Sequence, residues 1–159
     1  MRVILVIFAM LSYSYCFSQN LFRKNTLYAE FCGNGIDWSA NFERQLGRKP
    51  GLGVRAGVGY ASSTEEFRVS IPVGVNYLFD LSHQRSFIET GIGITWAEES
   101  IWKTGFQYPS SRYEAGFFAS VGYRHQAPYG LMWRIDYTPF FTKYRVGYLF
   151  LGLSAGWSF

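Results

Sequence analysis

The chain has 159 residues, of which 20% are aromatic and 16% charged, and its formal net charge is +4. That length suits a single domain, and so many Tyr, Phe and Trp exceed what a small soluble core requires. The basic excess does not point to nucleic acid, because no stripe of Lys and Arg is interleaved with aromatics along one surface.

The chain opens on "MRVILVIFAMLSYSYCFSQ", with one basic residue, an apolar run from Val3 to Leu11, and small residues at Cys16 and Ser18. This is the pattern of a secretory signal peptide over residues 1–18, with cleavage after Ser18 and the domain over residues 19–159. The run is too short for a bilayer-spanning helix, which takes about 20 residues, and no later segment has 18 apolar residues in succession. Removing the signal leaves Cys32 alone, so neither a disulfide nor a cysteine metal cluster is expected, and no cofactor or metal site is suggested. Small exported domains usually lean on disulfides, and closure of a sheet on itself is the substitute expected here.

The first hairpin, "LYAEFCGNGIDWSANFER", suggests a type I′ turn at Asn34-Gly35, where both central residues take positive φ. That register pairs Phe31 with Trp38, Ala29 with Ala40 and Leu27 with Phe42 on one face, and Glu30 with Ser39, Tyr28 with Asn41 and Thr26 with Glu43 on the other. Six further segments alternate with period two: Gly51–Ala61, Arg68–Phe79, Ser86–Trp96, Glu114–His125, Leu131–Thr138 and the closing run to Phe159. Eight strands of about ten residues match what a tilted strand needs to cross a membrane, and no helical periodicity competes. The fold expected is an all-β, eight-stranded antiparallel up-and-down transmembrane β-barrel.

One face of these strands is apolar. The other collects Gly together with Glu30, Asp37, Glu43, Glu89, Glu114 and Asp136, and Arg55, Arg68, Arg124 and Arg134, but no Lys at mid-strand. Arg, Glu and Gly without Lys describe an enclosed lumen rather than a wet surface. Glu30, Arg55, Arg68, Glu89, Glu114, Arg124, Arg134 and Asp136 form the expected lumen charge network, read as a salt-bridged plug because an eight-stranded bore is just wide enough for side chains to fill. An approximate register sets Ser120 near Asp136 and Gly122 near Arg134. A narrow small-solute channel and a soluble lipocalin-like binder are the alternatives.

With the N-terminus in the periplasm, "QLGRKP", "DLSHQR" and "QAPYG" are periplasmic turns. The outward loops are Asn34-Gly35, "SSTEE", the long segment from Ala97 to Arg112, and "TKYRVG". Two aromatic girdles result: Tyr77, Phe79, Tyr123, Trp133, Trp157 and Phe159 at the periplasmic side, and Trp38, Tyr60, Trp96, Tyr137 and Tyr148 at the outer. Trp102, Phe106 and Tyr108 make the long loop a candidate recognition surface. The basic residues Arg23, Lys24, Arg44, Arg48, Lys49 and Arg85 lie at the periplasmic rim, where they are expected to snorkel to lipid headgroups.

The ending "LGLSAGWSF", alternating and finishing on an aromatic, resembles the C-terminal signal of Gram-negative outer-membrane barrels. With "YAEFCGNG", "SIPVGVNYLF" and "GYRHQAPYGLMWRIDYTPFF", most of the chain resembles a family of small, uncharacterised outer-membrane β-barrels. The resemblance implies a monomer in the bacterial outer membrane, exported through the periplasm. Its partners would be phospholipid and lipopolysaccharide, and the barrel-assembly machinery reading the strand that ends in Phe159. Some barrels of this size are lipid A deacylases or palmitoyltransferases with a histidine at the outer leaflet. Here His83 and His125 both fall at the periplasmic side, so no enzyme is expected.

Overall fold

A computed structural model describes residues 22–63, 66–98, 113–143 and 146–159. The signal segment and the loop carrying Trp102, Phe106 and Tyr108 lie outside the described residues. The strands are β1 (Asn25–Phe31), β2 (Trp38–Gln45), β3 (Leu52–Ser63), β4 (Glu66–Ser82), β5 (Ser86–Glu98), β6 (Tyr113–Gln126), β7 (Leu131–Phe141) and β8 (Val146–Ser158). Each pairs antiparallel with its chain neighbours, and β8 returns to β1, closing the barrel in the order β1 to β8. Closure leaves no edge strand, so every strand has a partner on each side without a disulfide.

The period-two alternation fixes which side chains face out. Leu27, Val58 and Ile92 on the outer wall are 57%, 61% and 63% exposed, whereas Glu30, Glu43 and Arg124 inside are fully buried. This is the inverse of a soluble protein, in which large apolar side chains are usually covered and charges usually are not. The expected girdle residues Trp38, Trp96 and Tyr137 toward one end and Tyr77, Phe79, Trp133, Trp157 and Phe159 toward the other are all exposed on the outer wall.

Two connections differ from expectation. The β1–β2 register is the one expected, from Leu27↔Phe42 to Phe31↔Trp38. The link is nonetheless no type I′ turn. Gly33–Gly35 form a short 3₁₀ turn, positive φ falls on Cys32 (55°), Gly33 (84°) and Ile36 (80°), and Gly33 through Ile36 are buried. The Cys32 amide donates to the Asp37 carbonyl (2.6 Å) and the Ile36 amide to that of Gly33 (3.1 Å), and the loop between folds inward.

The second difference is at β6–β7. Ala127, Pro128, Tyr129 and Gly130 make the turn, with the Gly130 amide donating to the Ala127 carbonyl (2.9 Å) and the Ala127 amide to that of Leu131 (2.7 Å). Gly130 has φ 116°, which a residue bearing Cβ resists. The turn is therefore centred one residue later than the sequence suggests, and the register moves by two: Gly122 faces Asp136, and Arg124 faces Arg134. A shift of two keeps every side chain on its face but exchanges its partner. The strands also run longer than expected. β3 and β4 pair out to Ser63↔Glu66, so Ser62, Ser63 and Glu66 of "SSTEE" belong to the strands.

Candidate functional site

The barrel interior is filled in three layers. The first, at the end bearing both termini, is apolar: Leu78 and Phe87 point inward with Met132, and Phe22 packs edge-on against Phe87 with centroids 6.0 Å apart. The segment before β1 therefore enters the bore instead of leaving it. Arg23, expected to snorkel outward, donates to the carbonyls of Ser158 (3.0 Å) and Pro128 (3.1 Å) and braces this end of the barrel.

The middle layer holds the charges. Arg124 on β6 crosses the bore to β2, its Nη1 2.5 Å from Glu43 Oε1, and its Nη2 donates to Thr26 Oγ1 (2.8 Å) on β1. Arg134 on β7 donates to Glu89 Oε1 (2.8 Å), Glu30 Oε1 (2.8 Å) and Ser154 Oγ (3.1 Å), and its Nε lies 3.2 Å from Asp136 Oδ2. Glu89 is the shared anion. It receives Arg134, accepts from Arg124 at 3.4 Å and Asn76 at 3.1 Å, and lies 3.6 Å from Arg55. Arg55 donates to Ser120 Oγ (3.0 Å) and lies 5.1 Å from the Phe118 ring centroid; Arg134 lies 4.8 Å from that of Tyr28.

Arg124 and Arg134 are cross-strand neighbours, an arrangement of like charges that opposes folding unless carboxylates stand between them. Glu89 supplies one carboxylate to both, while Glu43 and Glu30 take the outer sides of the pair. Struts from β6 to β2 and from β7 to β1 pass through the space a pore would need.

Six of the eight expected network residues meet here: Glu30, Arg55, Glu89, Arg124, Arg134 and Asp136. Glu114 sits further out, half-buried opposite Ala97. Arg68 pairs with Ala61 near the end of β4 away from the termini, and its side chain lies outside the described residues. Glu43 is the important addition. Its alternation placed it in the lumen, but its partner is across the bore and eighty-one residues away, so no local spacing points to the pair.

The third layer is the inward β1–β2 loop. Ser70 Oγ donates to the Gly35 carbonyl (2.7 Å) and Thr95 Oγ1 to that of Asn34 (2.7 Å), so two loop carbonyls are satisfied by strands β4 and β5. In the amide orientation that satisfies both groups, the Asn34 side-chain oxygen accepts from both terminal nitrogens of Arg55, at 2.9 and 3.0 Å. The loop is thereby tied to the charged layer. A Cβ on Gly33 would come within 2.9 Å of Glu30 Oε1 and 3.3 Å of Gly152 Cα, so glycine is needed here for close approach as well as for φ. Ile36, Phe118 and Phe140 complete this layer.

A solved structure shares the architecture. The chain superposes on the Yersinia pestis outer membrane protein Ail, determined in a phospholipid bilayer nanodisc, with a TM-score of 0.55 and 9% identity over 86% of this chain and 99% of that one. No protein-family model matches the sequence, and no curated protein matches it. At that identity the likeness concerns the fold, which is a closed eight-stranded up-and-down β-barrel.

Among the described residues, no cluster of three or more His, Cys, Asp or Glu is arranged to hold a metal. Cys32 is half-buried at the foot of the inward loop. The described lumen holds a set of ion pairs and hydrogen bonds that span the bore.

Proposed function

We propose that this chain is an integral outer-membrane β-barrel whose bore is shut by its own side chains, and that its role is structural or one of surface interaction, without catalysis or cofactor. One observation carries the reading: the large apolar side chains face outward all round the barrel while the charges are buried at its centre. Water would penalise that wall, and a hydrocarbon slab would favour it. The likeness to Ail, studied in a bilayer, supports the same environment. The end bearing the termini then faces the periplasm, the chain arrives there through a cleaved signal, and the strand ending in Phe159 is what the assembly machinery reads. Phospholipid and lipopolysaccharide surround a monomer.

The struts across the lumen favour a plug over a solute channel. Fractionation with a bilayer recording tests both points. The protein is expected in the membrane pellet, released only by detergent, migrating faster on a gel before boiling than after, and producing no unitary conductance steps in planar bilayers. Recovery in solution without detergent would make it a lipocalin-like binder. Discrete steps would make it a channel.

A further inference from the structure

The chain has two histidines, and both lie beside one turn on the outside of the barrel at the end bearing the termini. The turn joins β4 to β5 and is built against preference. His83 and Gln84 occupy its centre with φ of 44° and 61°, a type I′ conformation that normally selects Asn and Gly, and the Arg85 amide closes it onto the Ser82 carbonyl (2.9 Å). Asp80 holds it, its Oδ1 accepting the amides of Ser82 (3.2 Å) and Gln84 (3.0 Å). A strained and braced turn fixes the position of the residues just beyond it, which are exposed Arg85 and then Ser86.

Ser86 is the centre of a hydrogen-bonded trio on the outer wall. Tyr123 donates from its hydroxyl to Ser86 Oγ (2.9 Å), and Ser86 Oγ lies 3.3 Å from His125 Nδ1. His125 stacks on Trp133, centroids 5.7 Å apart, and Tyr123 lies 5.4 Å from the same indole. Counting hydrogens gives the trio a direction. Tyr, Ser and a neutral imidazole each bring one, two links consume two, and whichever way Ser86 and His125 share theirs, one donor is left for an outside acceptor. All three groups are only half-buried, so that acceptor has access. Exposed Phe79 and Trp133 extend the adjoining wall as apolar surface.

We propose that Ser86, Tyr123 and His125, with Arg85 beside them, form a docking site for the phosphodiester of a phospholipid headgroup, its acyl chains lying along the wall past Phe79 and Trp133. The site rests on the membrane reading above. The free donor selects an acceptor oxygen, exposed Arg85 one residue before Ser86 adds positive charge to this rim, and a position where polar groups give way to an apolar wall selects an oxygen attached to hydrocarbon.

The test uses the full barrel reconstituted in vesicles of phosphatidylethanolamine and phosphatidylglycerol, extracted into detergent, with retained phospholipid counted by native mass spectrometry. Ser86→Ala, Tyr123→Phe and His125→Ala are each expected to lower retained phospholipid about tenfold, because each breaks the hydrogen-bonded chain that aims the free donor at the phosphodiester, with the gel shift on boiling preserved. Leu27→Ala, on the outer wall of β1 across the barrel from the trio, is expected to leave retention unchanged. Retention equal to the parent in the three variants, or an equal loss in Leu27→Ala, overturns the site while the membrane reading stands. Displacement of the lipid by soluble glycerol 3-phosphate at the same concentration would make it a general anion site and overturn the lipid assignment. A chain that never enters the vesicles overturns the membrane reading and this site with it.

Discussion

Arg124→Met is expected to destabilise the folded barrel by about 3–5 kcal/mol, and Arg124→Met combined with Glu43→Gln by clearly less. The charges remaining in each case explain the order. Four carboxylates, Glu30, Glu43, Glu89 and Asp136, face three guanidiniums, those of Arg55, Arg124 and Arg134. Removing Arg124 leaves Glu43 fully buried and in contact with the Gln45 amide but with no cation, because Arg124 is its ion-pair partner. Glu89 loses less, since Arg134 and Arg55 remain beside it. Neutralising Glu43 as well removes the stranded charge, and a glutamine there keeps the hydrogen-bonding shape. Unfolding in urea from detergent micelles, followed by tryptophan emission, gives the free energies of the parent, Arg124→Met, Glu43→Gln and the double variant. A coupling of about 1–3 kcal/mol is expected between the two sites, and a coupling near zero would mean that the Arg124–Glu43 contact carries no stability of its own.

The same pair marks how far the sequence can be read. Alternation alone identifies the inward face of every strand, because a period of two leaves two choices and the charged set decides between them. It also identifies Glu30, Glu89, Arg124, Arg134 and Asp136 as neighbours in a lumen. It cannot say that Arg124 meets Glu43, because that contact joins strands on opposite sides of the barrel and depends on the stagger with which the sheet closes. The register of β6 on β7 was legible only to within two residues. Gln126 through Gly130 can turn about either of two centres, and what selects one is Gly130, whose positive φ and amide bond to Ala127 place the turn one residue further on.

Local signals misled in two places for a related reason. Asn34-Gly35 carries the strongest short-range hairpin signal in the chain, yet Asn34 and Gly35 form an inward 3₁₀ turn, since their carbonyls find Ser70 and Thr95 and the Asn34 amide finds Arg55. All three partners are distant in sequence. Arg23 next to a cleavage pattern reads as a rim charge, but with Phe22 buried against Phe87 its guanidinium is drawn over the ends of β8 and the β6–β7 turn. In both cases tertiary contacts override a preference worth about 1 kcal/mol.

Replacing Gly33 through Ile36 by Asn-Gly restores the two-residue turn that local preference favours and is expected to leave the barrel closed but its outer half wet. Cys32 and Asp37 already face one another through the amide of one and the carbonyl of the other, so the shorter link closes on an existing pair and the β1–β2 register survives. What leaves is the buried Ile36 side chain, the two carbonyls that satisfy Ser70 and Thr95, and the amide over Arg55. Together these predict a loss of about 2–4 kcal/mol. Ser70 is the reporter of hydration, being fully buried against Gly35 in the native barrel. In a Cys32→Ser background, Ser70→Cys is expected to resist a membrane-impermeant maleimide when the native loop is present and to react in the shortened barrel. Conductance should stay absent in both, because the charged layer and the Phe22, Leu78 and Phe87 layer still close the bore below the loop. Reaction of Ser70→Cys at the same rate with either loop would show that the loop does not seal the mouth. Conductance steps after the exchange would show that the loop alone had held the bore shut.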